Sequence, residues 1–195
     1  MFEFLIGLFL LFLFFVIKKS QERDRTSPDG APWVPLEPFV VQNIMNMAKI
    51  KKDDIFYDLG SGDGRLVIAA AMQGAKAYGI EIDPFRVLYS RFCIFIFGLS
   101  FKAHIIHGDI FKTNLSNADI VTTYLLPETN KKIFPKLDQE LKEGTRIVSA
   151  AFSFPKLKPI IINPDGPIYG PLYLYHYSKT KNRNNKNTKK TVSLC

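Results

Sequence analysis

Asp58-Leu59-Gly60-Ser61-Gly62-Asp63-Gly64-Arg65 is the stretch that decides how this chain folds. A short apolar run, Ile55-Phe56-Tyr57, precedes it, and a helix-forming run, Leu66-Val67-Ile68-Ala69-Ala70-Ala71-Met72, follows. The order is strand, glycine turn, helix. A turn of this kind lets a ligand lie against backbone N–H groups at a helix N-terminus. The Asp58 carboxylate stands at the end of the strand, where an open α/β sheet takes its ligand. Three glycines at alternate positions beside Asp58 and Asp63 point to a cofactor turn rather than to an ordinary connecting loop.

The same alternation continues outward. Residues 39–48 have helical apolar spacing and lead into a first strand at 55–59. A helix is predicted over 65–73, a strand over 77–82, and a helix from Asp83, as N-cap with Pro84 at the first helical position, to 97. Strands follow at 103–107, 120–124 and 146–151, with a helix over 127–141 before the last. Strands separated by helices make a mostly parallel, Rossmann-like α/β sheet covered on both faces. After the fifth strand the pattern changes. Residues 158–162 and 172–177, joined by Asn163-Pro164-Asp165-Gly166, predict a β-hairpin. Tyr173, Tyr175 and Tyr177 share one face of its second strand and are expected to pack on a helix.

The chain has 195 residues, 47% of them apolar, enough for one domain with a real core. Cys93 and Cys195, far apart, offer neither a disulfide framework nor a metal site, and fit a reducing compartment. The net charge is +8, of which six units come from Lys179, Lys181, Arg183, Lys186, Lys189 and Lys190, leaving +2 elsewhere. Residues 31–178 therefore read as a nearly neutral domain and 179–195 as a basic, disordered tail. That distribution argues against a nucleic-acid partner.

Residues 1–17 are apolar apart from Glu3, and 4–17 are unbroken. At about 1.5 Å per residue they reach roughly 25 Å against a hydrocarbon core of about 30 Å. No basic n-region precedes the run and no small-residue cleavage site follows it, so the reading is an uncleaved membrane anchor. Lys18, Lys19, Arg23 and Arg25 follow, which keeps the domain on the cytoplasmic side. Residues 18–30 are a polar linker. In Pro32-Trp33-Val34-Pro35 the prolines hold an extended strap bearing the only Trp. Two readings stand for it: a cover over cofactor or substrate, or a strap packed on the core.

Gly60, Gly62 and Gly64 give G-x-G-x-G, not the G-x-G-x-x-G of a dinucleotide fold. With Asp58 two residues earlier, the turn resembles motif I of class I S-adenosylmethionine-dependent methyltransferases. Glu81, in Gly79-Ile80-Glu81-Ile82-Asp83, follows Asp58 by 23 residues. A carboxylate there accepts both ribose hydroxyls, as in dinucleotide folds. By the resemblance, Asp109 bonds the adenine amino group and Ile110 lies against the ring. The cofactor-binding set is then Asp58, Gly60, Ser61, Gly62, Asp63, Gly64, Glu81, Ile82, Asp109 and Ile110. No metal-ligand cluster is present.

The acceptor side follows from Tyr124-Leu125-Leu126-Pro127-Glu128-Thr129-Asn130. Enzymes that methylate adenine or glutamine nitrogens carry Asn/Asp-Pro-Pro-aromatic here, and this chain does not. Tyr124, Pro127 and Glu128 are the candidate catalytic residues: Tyr124 facing the sulfonium or an incoming ammonium, and Glu128 either holding a cationic substrate or serving as a first-turn helix acid. His107 lies near the cofactor but reads as structural.

Together with Gly144-Thr145-Arg146-Ile147-Val148-Ser149, these motifs resemble the archaeal protein-lysine methyltransferase. They also resemble its mitochondrial relatives that modify the adenine nucleotide translocator and the ATP synthase c-subunit. The resemblance implies S-adenosylmethionine as cofactor and a protein substrate presenting lysine, membrane proteins among the candidates. A monomer is expected. A lipid, quinone or other small-molecule acceptor is the alternative, and a non-enzymatic tethered module a third reading.

Overall fold

The computed structural model describes residues 33–179, together with Leu11, Phe14, Phe15, Lys18 and Lys19, each helical. The expected anchor and linker otherwise, Pro32, and the tail from residue 180 lie outside the described residues. Among the described residues no helix is long and apolar enough to cross a membrane.

The elements run α1 (Pro38–Ala48), β1 (Ile55–Leu59), α2 (Arg65–Met72), β2 (Lys76–Glu81), α3 (Pro84–Ile96), β3 (Ala103–His107), β4 (Ile120–Thr123), α4 (Pro127–Glu140), β5 (Arg146–Ala150), β6 (Ile161–Asn163) and β7 (Leu172–His176). They form one seven-stranded sheet in the order β3-β2-β1-β4-β5-β7-β6. Strands β1 to β5 are parallel, and β7 runs antiparallel between β5 and β6. The sequence expectation of a Rossmann-like sheet closed by a C-terminal hairpin holds.

Local chemistry sets the boundaries. Asp83 caps α3, its Oδ1 accepting from the Phe85 and Arg86 N–H groups at 2.8 and 2.9 Å. Prolines open α1, α3 and α4 at positions whose N–H has no helical partner. Arg146, at the start of β5, donates to the carbonyls of Ala48 and Lys49 and to Asp54, tying the end of α1 to the sheet.

The core has two halves. Val40, Ile44, Val67, Ala70, Val87 and Ile94 bring α1, α2 and α3 onto one face. Ile133, Phe134 and Leu137 of α4 cover the other, with Leu115 and Ala118 from the helix-free loop between β3 and β4. Tyr177 packs against α4 as expected, its hydroxyl donating to Asp138 at 2.8 Å. Tyr175 accepts from the Phe154 N–H at 3.0 Å.

Most element ends fall within one residue of expectation, and the hairpin differs more. The first hairpin strand begins at Ile161 rather than 158. Its connection is also not a tight Pro-Asp-Gly turn, because Asn163 pairs with Leu172 and residues 164–171 form a longer loop. Pro164, Pro167 and Pro171 have no N–H for a ladder, so the loop closes on itself through Gly166 N–H to Pro164 O and Gly170 N–H to Pro167 O.

Candidate active site

The C-terminal ends of β1, β2, β3 and β4 open into one cavity of about 830 Å³. The turn after β1 forms its floor. The Gly60 and Ser61 N–H groups both donate to Ile80 O, at 2.9 and 3.0 Å, which folds the turn back over β2. Gly62 has φ +54°, and a Cβ there would lie 2.6 Å from Trp33 Nε1, so only glycine lets the strap close on the turn. Arg65 pairs with Asp63 and also donates to the Leu36 carbonyl, fixing the base of the strap. Trp33, Val34 and Pro35 line the cavity. The Trp33 ring lies 5.5 Å from the Arg86 guanidinium. The strap therefore covers the site as well as packing on its neighbours.

Glu81 is buried at the end of β2. Its Oε2 accepts from Gly62 N–H and its Oε1 from Asp83 N–H, each at 2.8 Å, and Arg86 Nη1 lies 3.7 Å from Oε1. Each carboxylate oxygen keeps a second acceptor site. Asp58 is buried too, and Thr122 Oγ1 donates to it at 2.8 Å. Burial is the main cause that pushes the Asp58 carboxyl up to about 7; the Thr122 hydroxyl opposes this, while Glu81 and Asp63 add to it. Asp109 accepts from Phe111 N–H at 2.9 Å and, with Ile82, Ile110 and Phe111, walls the far end.

The opposite end is aromatic. Tyr124, Phe152 and Tyr169 line it with Leu125, Leu126, Thr129 and Lys132. The Tyr124 hydroxyl is buried without a hydrogen-bond partner, and burial, then the neighbouring Tyr169, raise its pKa. Phe152 is placed by a buried polar knot. The Ser149 hydroxyl donates to Phe152 O at 2.6 Å and receives Thr123 Oγ1 at 3.0 Å and Asn130 Nδ2 at 3.3 Å. Ala151, between them, has φ +63°, a strained conformation for a residue with a Cβ.

All ten expected cofactor residues converge here except that Gly64, the N-cap of α2, is not on the cavity wall. Tyr124 is in place. Pro127 and Glu128 are exposed on the first turn of α4 and do not line the cavity. A helix turn separates them from Leu126 and Thr129, which do. His107 does not line the cavity; its Nε2 lies 3.2 Å from Ile82 O. Sequence reasoning missed Arg86, Lys132, Phe152 and Tyr169. Arg86 sits three residues after the Asp83 cap, one turn into the helix, and was open to inference; Tyr169 comes from the hairpin loop, and nothing in its sequence marks it.

The profile of the ANTKMT methyltransferase domain matches residues 58–161. The chain belongs to this family. A protein-lysine N-methyltransferase of Saccharolobus islandicus is 40% identical over 148 residues, covering 74% of this chain and 92% of that protein. The mouse lysine N-methyltransferase of the ATP synthase c-subunit is 34% identical over 128 residues, covering 66% of this chain but only 51% of the mouse protein. The chain thus spans about half the length of that mammalian relative. A crystal structure described as an RNA methyltransferase from Salinibacter ruber, with S-adenosyl-L-homocysteine bound, superposes with a TM-score of 0.69 at 36% identity. It covers 73% of this chain and 93% of that one.

The enzyme is an S-adenosylmethionine-dependent methyltransferase, and its cavity fits that cofactor. Asp58 is a buried acid with no cation paired to it among the described residues, and the cofactor carries positive charge. Glu81 offers paired acceptor sites for a diol. The Ser61 side chain packs onto Gly79 of β2, which holds the turn close beneath the cavity.

Proposed function

We propose that this enzyme is a protein-lysine N-methyltransferase held at a membrane by residues 1–17. The carrying observation is the aromatic end of the cavity. Tyr124, Phe152 and Tyr169 together line it with aromatic surface, suited to a long aliphatic stem ending in an amine. The names of its relatives in archaea and mouse support lysine as acceptor. A planar base nitrogen is a poorer match, since Asn/Asp-Pro-Pro-aromatic is absent after β4 and the basic surplus lies in the tail.

When bound, S-adenosylmethionine supplies a methyl carbon already activated by its sulfonium. The protein's work is to bind, orient and desolvate. Glu81, the glycine turn and Asp109 hold the adenosyl half, and Asp58 balances its charge. The lysine must arrive neutral, which at pH 7 costs about 4.6 kcal/mol in water. The aromatic walls lower that cost by disfavouring the ammonium. The Tyr124 hydroxyl, unpaired and buried, accepts a hydrogen bond from the entering amine and aims its lone pair.

The membrane reading is supported by the apolar run 4–17. It is also supported by Leu11, Phe14 and Phe15, helical and exposed, ahead of Lys18 and Lys19. The basic flank orients the catalytic domain to the cytoplasmic side.

The test is methylation of membrane and soluble protein fractions and of total RNA by the full chain and by Glu81→Gln, read by mass spectrometry. Methyl-lysine that disappears with Glu81→Gln is expected. Methylated RNA or lipid without methyl-lysine would overturn the lysine reading.

A further inference from the structure

The outer face of α3 is apolar where a surface helix should be polar. Val87, Ser90 and Ile94 face the sheet. Outward, Leu88, Phe95, Ile96 and Phe97 are between 47% and 70% exposed, and Phe101 in the following turn is 97% exposed. Ile82 extends the stripe to the cavity mouth, at 63%. A helix apolar on both sides has a second apolar neighbour. The charge on this layer has one sign. Between Gly64 and Gly108 the only carboxylates are Glu81 and Asp83, both buried, while Lys76, Arg91 and Lys102 are exposed.

We propose that this face rests on an anionic lipid bilayer, as a contact separate from residues 1–17. Exposed phenylalanines enter the headgroup boundary while Lys76 and Lys102 meet lipid phosphates; Arg91, whose guanidinium donates to Ile105 O, adds positive charge nearby. A water-facing protein surface would carry acids among these cations, and a bilayer rich in anionic lipid accounts for their absence. The stripe runs along α3, about 20 Å of helix, from the sheet's lower edge to Ile82. The cavity mouth is thereby held beside the membrane plane, within reach of a lysine near the surface. The proposal rests on the membrane reading only for its location; its surface is read independently.

Trp33 is the only native tryptophan and lines the cavity, so a tryptophan placed at 101 reports on this face. The experiment uses the full chain, wild type and Phe101→Trp. It is mixed with vesicles of phosphatidylcholine and phosphatidylglycerol brominated on the acyl chains. Roughly half of the added emission should be lost on these vesicles. Phe95→Ser and Lys102→Glu, introduced in that chain, should restore it, Phe95→Ser weakening insertion by roughly tenfold. Unchanged cofactor affinity verifies that each variant is folded. Vesicle flotation without quenching at position 101 would leave the residue 1–17 anchor intact and overturn this contact. So would a blue shift that grows with protein concentration in the absence of vesicles, which would mark the face as an interface between copies.

Discussion

Asp58 makes cofactor affinity depend on pH in a direction that can be worked out. Its carboxyl, ordinarily near 3.8, is pushed up to about 7 by burial. A shift of this size disfavours the buried carboxylate by about 4 kcal/mol. In the ligand-free enzyme the raised value stabilises the fold fully below the ordinary pKa, and that contribution is lost as pH rises through about 7. A cation beside Asp58 reverses the preference. Binding a positively charged cofactor draws Asp58 to its ionised form and releases a proton wherever the free enzyme holds one. The cofactor dissociation constant should therefore fall roughly tenfold between pH 6 and pH 8 and level off above. Thr122→Val removes the 2.8 Å hydrogen bond that favours the carboxylate, so the midpoint should move up. Asp58→Asn should bind weakly and without pH dependence. Calorimetry of S-adenosylmethionine binding in two buffers of different ionisation enthalpy reads affinity and proton release together. A wild-type affinity that stays flat across this range, with no proton released, would refute the charge pairing.

Four further outcomes are expected. Gly62→Ala sets a Cβ against Trp33 Nε1 in a left-handed turn; it should cost about 1–2 kcal/mol in thermal unfolding, shift Trp33 emission and weaken cofactor binding. Ser149→Ala strands the Thr123 hydroxyl and leaves Phe152 O only its bond from Asn130 Nδ2; about 1–2 kcal/mol of stability should be lost, and acceptor KM should rise while cofactor affinity holds. Tyr177→Phe removes the donor to Asp138 and should lower stability by about 1 kcal/mol with kcat unchanged. Tyr124→Phe should lower kcat for a lysine peptide and leave cofactor affinity intact, as measured by single-turnover methylation; a normal kcat would remove the amine-orienting role.

The cofactor half of the site was legible because its chemistry is local. Strand ends carry Asp58, Glu81 and Asp109, and the turn's glycines are fixed by backbone conformation. The period-two and period-3.6 patterns located the sheet for the same reason. The acceptor half is assembled from distant segments. Phe152 depends on a strained Ala151 and on a knot linking β4, β5 and α4, and Tyr169 on a loop closed by prolines. Pro127 and Glu128 looked catalytic because they follow β4 closely. The helix begins there and turns them outward, and the residues a turn later, Thr129 and Lys132, reach the cavity instead. The hairpin loop's length depended on which residues could pair, and the Pro-Asp-Gly signal alone could not show that.

The reversal of β7 has a practical consequence for handling this enzyme. Because that strand descends beside ascending β5, Tyr177 finishes against Gly144 and Thr145, at the rim opposite the cavity. The strap at Trp33 lies at the cavity itself. Chain traffic thus leaves by a different door from the one substrate uses. A purification tag or fluorophore joined directly after residue 179 starts from the rim opposite the cavity, and one inserted beside the strap starts at the cavity.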